Sequence, residues 1–130
     1  EYLEDLDKKK VINWISSKSK VLSYIQQSKI GILPSYREGF PKSLLESASC
    51  GLPLISTNVS GCREICIDGH NGFLSKVKDP HDLARVIEKL LFDRKSQLLM
   101  GRNSRKVCIE KFSDFEISSQ FLKIYNIIKN

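Results

Sequence analysis

At 130 residues the chain fits one compact domain with a modest core, and 41% hydrophobic with 28% charged residues is ordinary for a soluble globular protein. No apolar run approaches the ~20 residues of a membrane helix, and the opening EYLEDLDKKK has no apolar stretch of the kind a signal peptide needs. The net charge of +6 is dispersed, which fits a solvated Lys-rich surface or attraction to phosphates or an anionic membrane face, and no basic-aromatic platform points to nucleic acid.

In chain order, Val11 to Ile15 (VINWI) is a short β-branched and aromatic run that predicts a buried strand. SSKSK then offers a serine N-cap to a helix over VLSYIQQ, whose Val21, Leu22 and Ile25 fall at helical spacing. KIGILPS predicts a second strand, stopped by Pro34. The loop SYREGF leads to a helix over PKSLLESASCG, with Pro41 in its first turn and Gly51 at its left-handed C-terminal position.

Leu52 to Thr57 (LPLIST) predicts a third strand, and GCREICIDGHNG a helical turn followed by tight turns at Asp68-Gly69 and Asn71-Gly72. FLSKV is a fourth, short strand. Asp79 and Pro80 open a helix with a clear 3.6 period through Leu83, Val86, Ile87, Leu90 and Leu91. A further helix covers RKSQLLMGRNSRKVCIEKF, and Ser113 caps a last one. Strands alternating with helices predict an α/β fold, a parallel sheet with crossover helices.

The four cysteines, Cys50, Cys62, Cys66 and Cys108, include no C-x-x-C and form no ligand pattern with His70 and His81. They read as reduced thiols of a cytosolic compartment, with no metal and no cofactor expected, and Cys50 as a core filler.

The chemistry concentrates in REGFPKSLLE, where Glu38 and Glu46 stand with seven residues between them. In a parallel sheet, ligands bind at the carboxyl ends of strands, where the loop after IGILP lies. Gly39 permits close backbone approach, and free N–H groups near Phe40 to Ser43 would face a phosphate at the helix start. Pro41 fixes the turn, and Lys42 can add a charge. Glu46 lies about a turn and a half along the helix and can accept from vicinal hydroxyls such as those of a ribose. Glu38 is left for the other end of the ligand. An ordinary helix start, with Glu38 as a dipole-favoured acid and Glu46 on the surface, fits the spacing equally well.

From Pro34 to Leu91 the E-x7-E motif, GLPLIST, GCRE and DGHNGFL follow in order, and the sequence resembles the C-terminal donor-binding domain of GT-B retaining glycosyltransferases, family 4 or group 1. The GCRE form is most similar to bacterial enzymes of cell-surface polysaccharides and polyprenyl-diphosphate-linked glycans. The resemblance implies part of a Rossmann-like domain with a nucleotide-sugar donor, a UDP-sugar, and a glycan or polyprenyl-diphosphate-linked acceptor. It also implies a cytoplasmic location, with peripheral membrane association. Glu38 would contact the donor sugar as the catalytic carboxylate. Gly39, Phe40 and Pro41 would touch sugar and diphosphate, Lys42 would add charge, Ser43 and Leu44 would border phosphate and ribose or base, and Glu46 would hold the ribose.

By topology SGCRE (Ser60 to Glu64) would lie near the same cleft, with Arg63 and Glu64 forming a loop-bracing ion pair in preference to contacting the ligand. Relative to that family, the acceptor domain, the first two donor-domain strands and the basic diphosphate grip are missing. Residues 1–130 thus read as a partial domain, inactive alone, in which VINWI pairs directly with IGILP to give a four-stranded sheet in the order 1-2-3-4. A non-catalytic GT-B remnant or subunit that needs a partner chain is the alternative. A GT-B-shaped epimerase is a third reading, for which the acid and base residues are not evident.

Overall fold

The computed structural model describes residues 2–15 and 21–129. Among them the elements run α1 (Tyr2–Lys8), α2 (Val21–Gln27), β1 (Gly31–Leu33), α3 (Lys42–Ser49), β2 (Leu54–Thr57), α4 (Ser60–Ile65), β3 (Gly72–Ser75), α5 (Pro80–Leu91), α6 (Arg94–Phe112) and α7 (Asp114–Lys129). The SSKSK turn lies outside the described residues.

The sheet is parallel, in the order β1-β2-β3, with Ile32 opposite Ile55 and Ile55 opposite Phe73. The α/β class, the parallel sheet and the crossover helices are as the sequence predicts. A fourth strand at Val11 to Ile15 is not: these five residues are exposed and unpaired in the sheet, so β1 is itself an edge. Lys10 turns the chain with a positive φ of 56°, and the Asp7 carboxylate accepts from the Trp14 N–H at 2.7 Å. The segment is therefore tied back to α1, whose helix the charged opening residues did not reveal. β-branched composition makes a strand only where a neighbour supplies hydrogen bonds and cover.

Successive residues of β2 face opposite sides of the sheet, and both sides are covered. Leu54 packs with Leu44, Ala48, Cys62 and Ile65 on one face. Ile55 packs with Val86, Leu90 and Met100 on the other. This double burial gives β2 its continuous apolar-to-small run; its Ser56 and Thr57 hydroxyls are satisfied by the chain, as described below.

Helix α3 buries Leu44, Ser47 and Ala48, an i, i+3, i+4 stripe. It ends at Cys50, followed by Gly51 in the left-handed region at φ 76°. Asp79 caps α5 by accepting from the Asp82 N–H at 2.9 Å, with Pro80 at the first helical position, an arrangement worth about 1 kcal/mol. Asp93 caps α6 in the same way through Ser96, and the Ser113 hydroxyl accepts from Glu116 N–H at the start of α7.

Candidate functional site

The loop Pro34 to Pro41 follows the carboxyl end of β1 and is tied to the end of β2. Ser56 Oγ donates to Leu33 O at 2.7 Å. Thr57 Oγ1 donates to Ser35 O and accepts from Ser35 N–H at 3.0 Å, so a single hydroxyl satisfies both backbone groups of Ser35. Ser35 Oγ in turn donates to Glu38 Oε1 at 2.9 Å. The Glu38 side chain is thereby fixed through a chain of bonds running from the end of the central strand.

The backbone of the same loop rests on α4. Gly61 N–H donates to Glu38 O at 3.2 Å, and a β-carbon at position 61 would stand 2.3 Å from Gly39 O. No larger residue fits without moving the loop. The thiol of buried Cys62 lies beneath it: burial pushes its pKa up, a bond from Ser56 partly offsets this, and the Glu38 carboxylate adds to the rise. Cys66, deeper, is pushed up to about 12, chiefly by burial and then by Asp68 and Cys62. Cys62 and Cys66 are the fully buried thiols, whereas Cys50 is half-buried at the α3 terminus and all four cysteines are free.

Beyond Gly39, which has nothing within 4 Å of the place a β-carbon would take, the exposed Phe40 ring meets Phe112 edge-on at 5.5 Å between centroids. This contact pins the loop to the end of α6. Pro41 is the N-cap residue of α3 rather than a first-turn residue, with φ −77°, ψ 96° and no side-chain capping bond. Its carbonyl accepts from Leu44 N–H at 3.1 Å and Leu45 N–H at 3.2 Å, and the first amides of the helix, at Lys42 and Ser43, have no acceptor among the described residues. Lys42 and Ser43 are exposed, while the Leu44 side chain lies in the core at 1% exposure. Glu46 is half-buried one turn further on, and neither it nor Glu38 is in an ion pair among the described residues.

The second glycine-rich stretch is structural. Buried Asn71 donates from Nδ2 to Ile65 O at 2.8 Å and accepts at Oδ1 from Ile67 N–H at 2.7 Å, holding α4 and the Asp68 turn together. His70 is exposed, with its carbonyl bonded by Asn103. Arg63 does not pair with Glu64; its Nη1 donates to Asn58 Oδ1 at 2.9 Å, because the loop before α4 places that amide within reach. Beside the loop a cleft of about 270 Å³ is lined by Pro34, Tyr36, Thr57, Lys76 and Lys78 among others. Among the described residues no cluster of His, Cys, Asp or Glu has the arrangement of a metal site.

Ser35 and Thr57 carry no sequence motif that marks them for the site, and Gly61, within the SGCRE stretch expected near the cleft, has a seating role that its motif does not specify. The S-x-x-E spacing of Ser35 and Glu38 was the one local signal available.

These features define a class: an α/β domain with a polar loop and an uncapped helix start at the carboxyl edge of a parallel sheet, the edge where such folds hold ligands. The chain belongs to the glycosyl transferases group 1 family, which it matches over residues 1–107. It is 32% identical, over 92% of its own length and 32% of the relative's, to the N,N'-diacetylbacillosaminyl-diphospho-undecaprenol alpha-1,3-N-acetylgalactosaminyltransferase of Campylobacter jejuni. Identity to the capsular polysaccharide biosynthesis glycosyltransferase CapM of Staphylococcus aureus is also 32%, over 83% of this chain and 28% of that one. The fold is shared with sucrose-phosphate synthase of Thermosynechococcus elongatus, with TM-score 0.82, 24% identity and coverage of 97% of this chain and 33% of that one. It is shared as well with Anabaena HepE crystallised with UDP, with TM-score 0.86, 18% identity and coverage of 96% and 36%. The chain spans about a third of the length of the curated relatives it matches.

Proposed function

We propose that this chain supplies the donor side of a retaining glycosyltransferase that takes its sugar, a hexose or N-acetylhexosamine, from a UDP-sugar. The observation that carries the reading is the uncapped start of α3 between Glu38 and Glu46, at the sheet edge described above. The free amides of Lys42 and Ser43, with the helix dipole, are suited to a diphosphate. Glu46 accepts the ribose hydroxyls. Glu38, oriented by Ser35, faces the donor sugar and stabilises positive charge at the reacting carbon.

In retention without a metal, the acceptor hydroxyl attacks on the face the nucleotide leaves, and the departing diphosphate takes its proton. Stabilisation of that diphosphate then lowers the barrier more than a strong protein base would. UDP and UDP-glucose in the HepE crystals support the donor class. The Campylobacter relative's name supports a diphospho-undecaprenol-linked acceptor; a place in the cytoplasm at the membrane's inner face is part of the same proposal.

Residues 1–130 act as a partial donor domain, and alone bind a UDP-sugar only at about millimolar strength, near −4 kcal/mol. Titrating the chain with UDP-glucose and with UDP-N-acetylgalactosamine, while following the backbone amides of Gly39 to Glu46, tests this. Absence of shifts in that stretch at saturating ligand overturns the site. Micromolar binding, or sugar transfer by this chain alone, overturns the partial-domain reading.

A further inference from the structure

At the opposite end of the sheet lies a cleft of about 610 Å³, a volume within the range of small-molecule sites. It is bounded by the residues that enter the strands: Ser28 and Lys29 before β1, and Gly51 to Pro53 before β2. The loop bearing Glu38 leaves from the other ends of these strands, and the four residues of β2 alone separate the two edges by about 13 Å.

Four cations, Lys29, Arg94, Arg102 and Arg105, line the cleft, and no carboxylate does. None of the four belongs to an ion pair among the described residues. Arg105 is oriented by donating to Ser49 O, and Arg94 by donating to Gln97 Oε1 at 3.3 Å. Gln97 is itself fixed through the carbonyls of Leu90 and Leu91, both at 2.9 Å. Lys29 and Arg102 carry no hydrogen bond among the described residues. The floor between them is apolar, with Leu52 and Pro53 buried. Like charges gathered over an apolar floor repel one another and are stabilised by a bound polyanion, and guanidinium forks match phosphate oxygens in pairs.

We propose that this cleft is a second anion site, separate from the donor edge, for a ligand carrying clustered phosphate charge such as a diphosphate group. The group reaches it either free in solution or as the headgroup of an anionic lipid.

The test compares the chain with the double variant Lys29→Glu/Arg102→Glu. Both side chains are exposed and unbonded among the described residues, so the circular dichroism spectrum is expected to stay unchanged. Inorganic pyrophosphate is expected to shift the amides of Gly51, Leu52, Leu98 and Gly101 saturably, with a Kd below about 1 mM. The double variant weakens this at least about tenfold, while any shifts at Lys42 to Glu46 remain.

Sedimentation with phosphatidylcholine vesicles, with and without phosphatidic acid, separates the sources. Binding to acidic vesicles alone that the double variant loses assigns a lipid headgroup, and pyrophosphate binding without vesicle binding assigns a soluble ligand. Absence of both, or binding that the double variant retains in full, overturns the site.

Discussion

Gly61 donates its N–H to the carbonyl of Glu38 at 3.2 Å, and a β-carbon at position 61 would stand 2.6 Å from that same oxygen. The first turn of α4 is thus the seat on which the Glu38–Gly39 peptide rests. Gly39 on the outer side of that peptide faces open space. The two glycines are therefore expected to differ on substitution. Gly61→Ala should lower stability by about 1–3 kcal/mol through overpacking and weaken nucleotide binding with it. Gly39→Val should leave the denaturation midpoint nearly unchanged and abolish donor binding alone. Urea melts combined with UDP titration of both variants check this, and a Gly61→Ala protein of native stability would contradict the seat.

The two glutamates are expected to separate binding from turnover in the intact glycosyltransferase containing this segment. If Glu46 holds the ribose as proposed, Glu46→Ala should cost about 1.5–3 kcal/mol of nucleotide affinity by calorimetry, through the loss of charge-assisted bonds. Glu38→Gln keeps the bond accepted from Ser35 but removes the charge, so kcat should fall far more than affinity does. Equal losses in both quantities for Glu38→Gln would reduce that residue to a binding role.

Asn71→Leu should be among the most damaging changes outside the site. Its amide is fully buried and serves both Ile65 O and Ile67 N–H. Two backbone groups lose their partners, a cost of about 2–4 kcal/mol, to be read as a lower urea midpoint at an unchanged slope.

The acid limb of stability should depend on Asp82. The Lys76 N–H and then Arg85 hold its carboxyl below the ordinary aspartate value of 3.8. A carboxyl depressed on folding adds stability that is fully present above its unfolded pKa and is lost as pH falls through the folded one. Stability measured from pH 6 down to pH 2 (roughly the span in which aspartates titrate) should fall less steeply in Asp82→Asn than in the parent chain. Parallel profiles for the two would remove Asp82 from the account.

Local rules were enough for most of the fold. The Asp79-Pro80 start and the period from Leu83 to Leu91 carry their own signals, as does Gly51 after the α3 stripe, and short apolar strands between helices fix the parallel sheet. The region of Glu38 and Glu46 stood out because both fall within nine residues of one turn and helix. What holds the region in place did not, because Thr57 meets Ser35 across 22 positions and Gly61 meets Glu38 across 23. Such pairs come together only once the sheet has formed. The VINWI segment fails for a related reason: its composition suits a strand, but sheet membership depends on a partner edge that composition does not specify.

Helix α6 carries a consequence for how the molecule opens and closes. Arg105 bonds Ser49 O, Ser104 bonds Asn71 O at 3.1 Å, and Asn103 bonds His70 O at 2.8 Å. Adjacent side chains on this one helix thus join segments 56 and 33 residues away. Detachment of these segments is therefore expected to be coupled through α6. Amide exchange at Leu54 and Ile55 of β2 is therefore expected to follow the departure of α6, while α1 and α2, which bury no side chain fully, are expected to exchange early and on their own. The helix that lies outside the E-x7-E stretch is thus expected to govern how long the strand end that holds Ser35, and through it Glu38, stays in place.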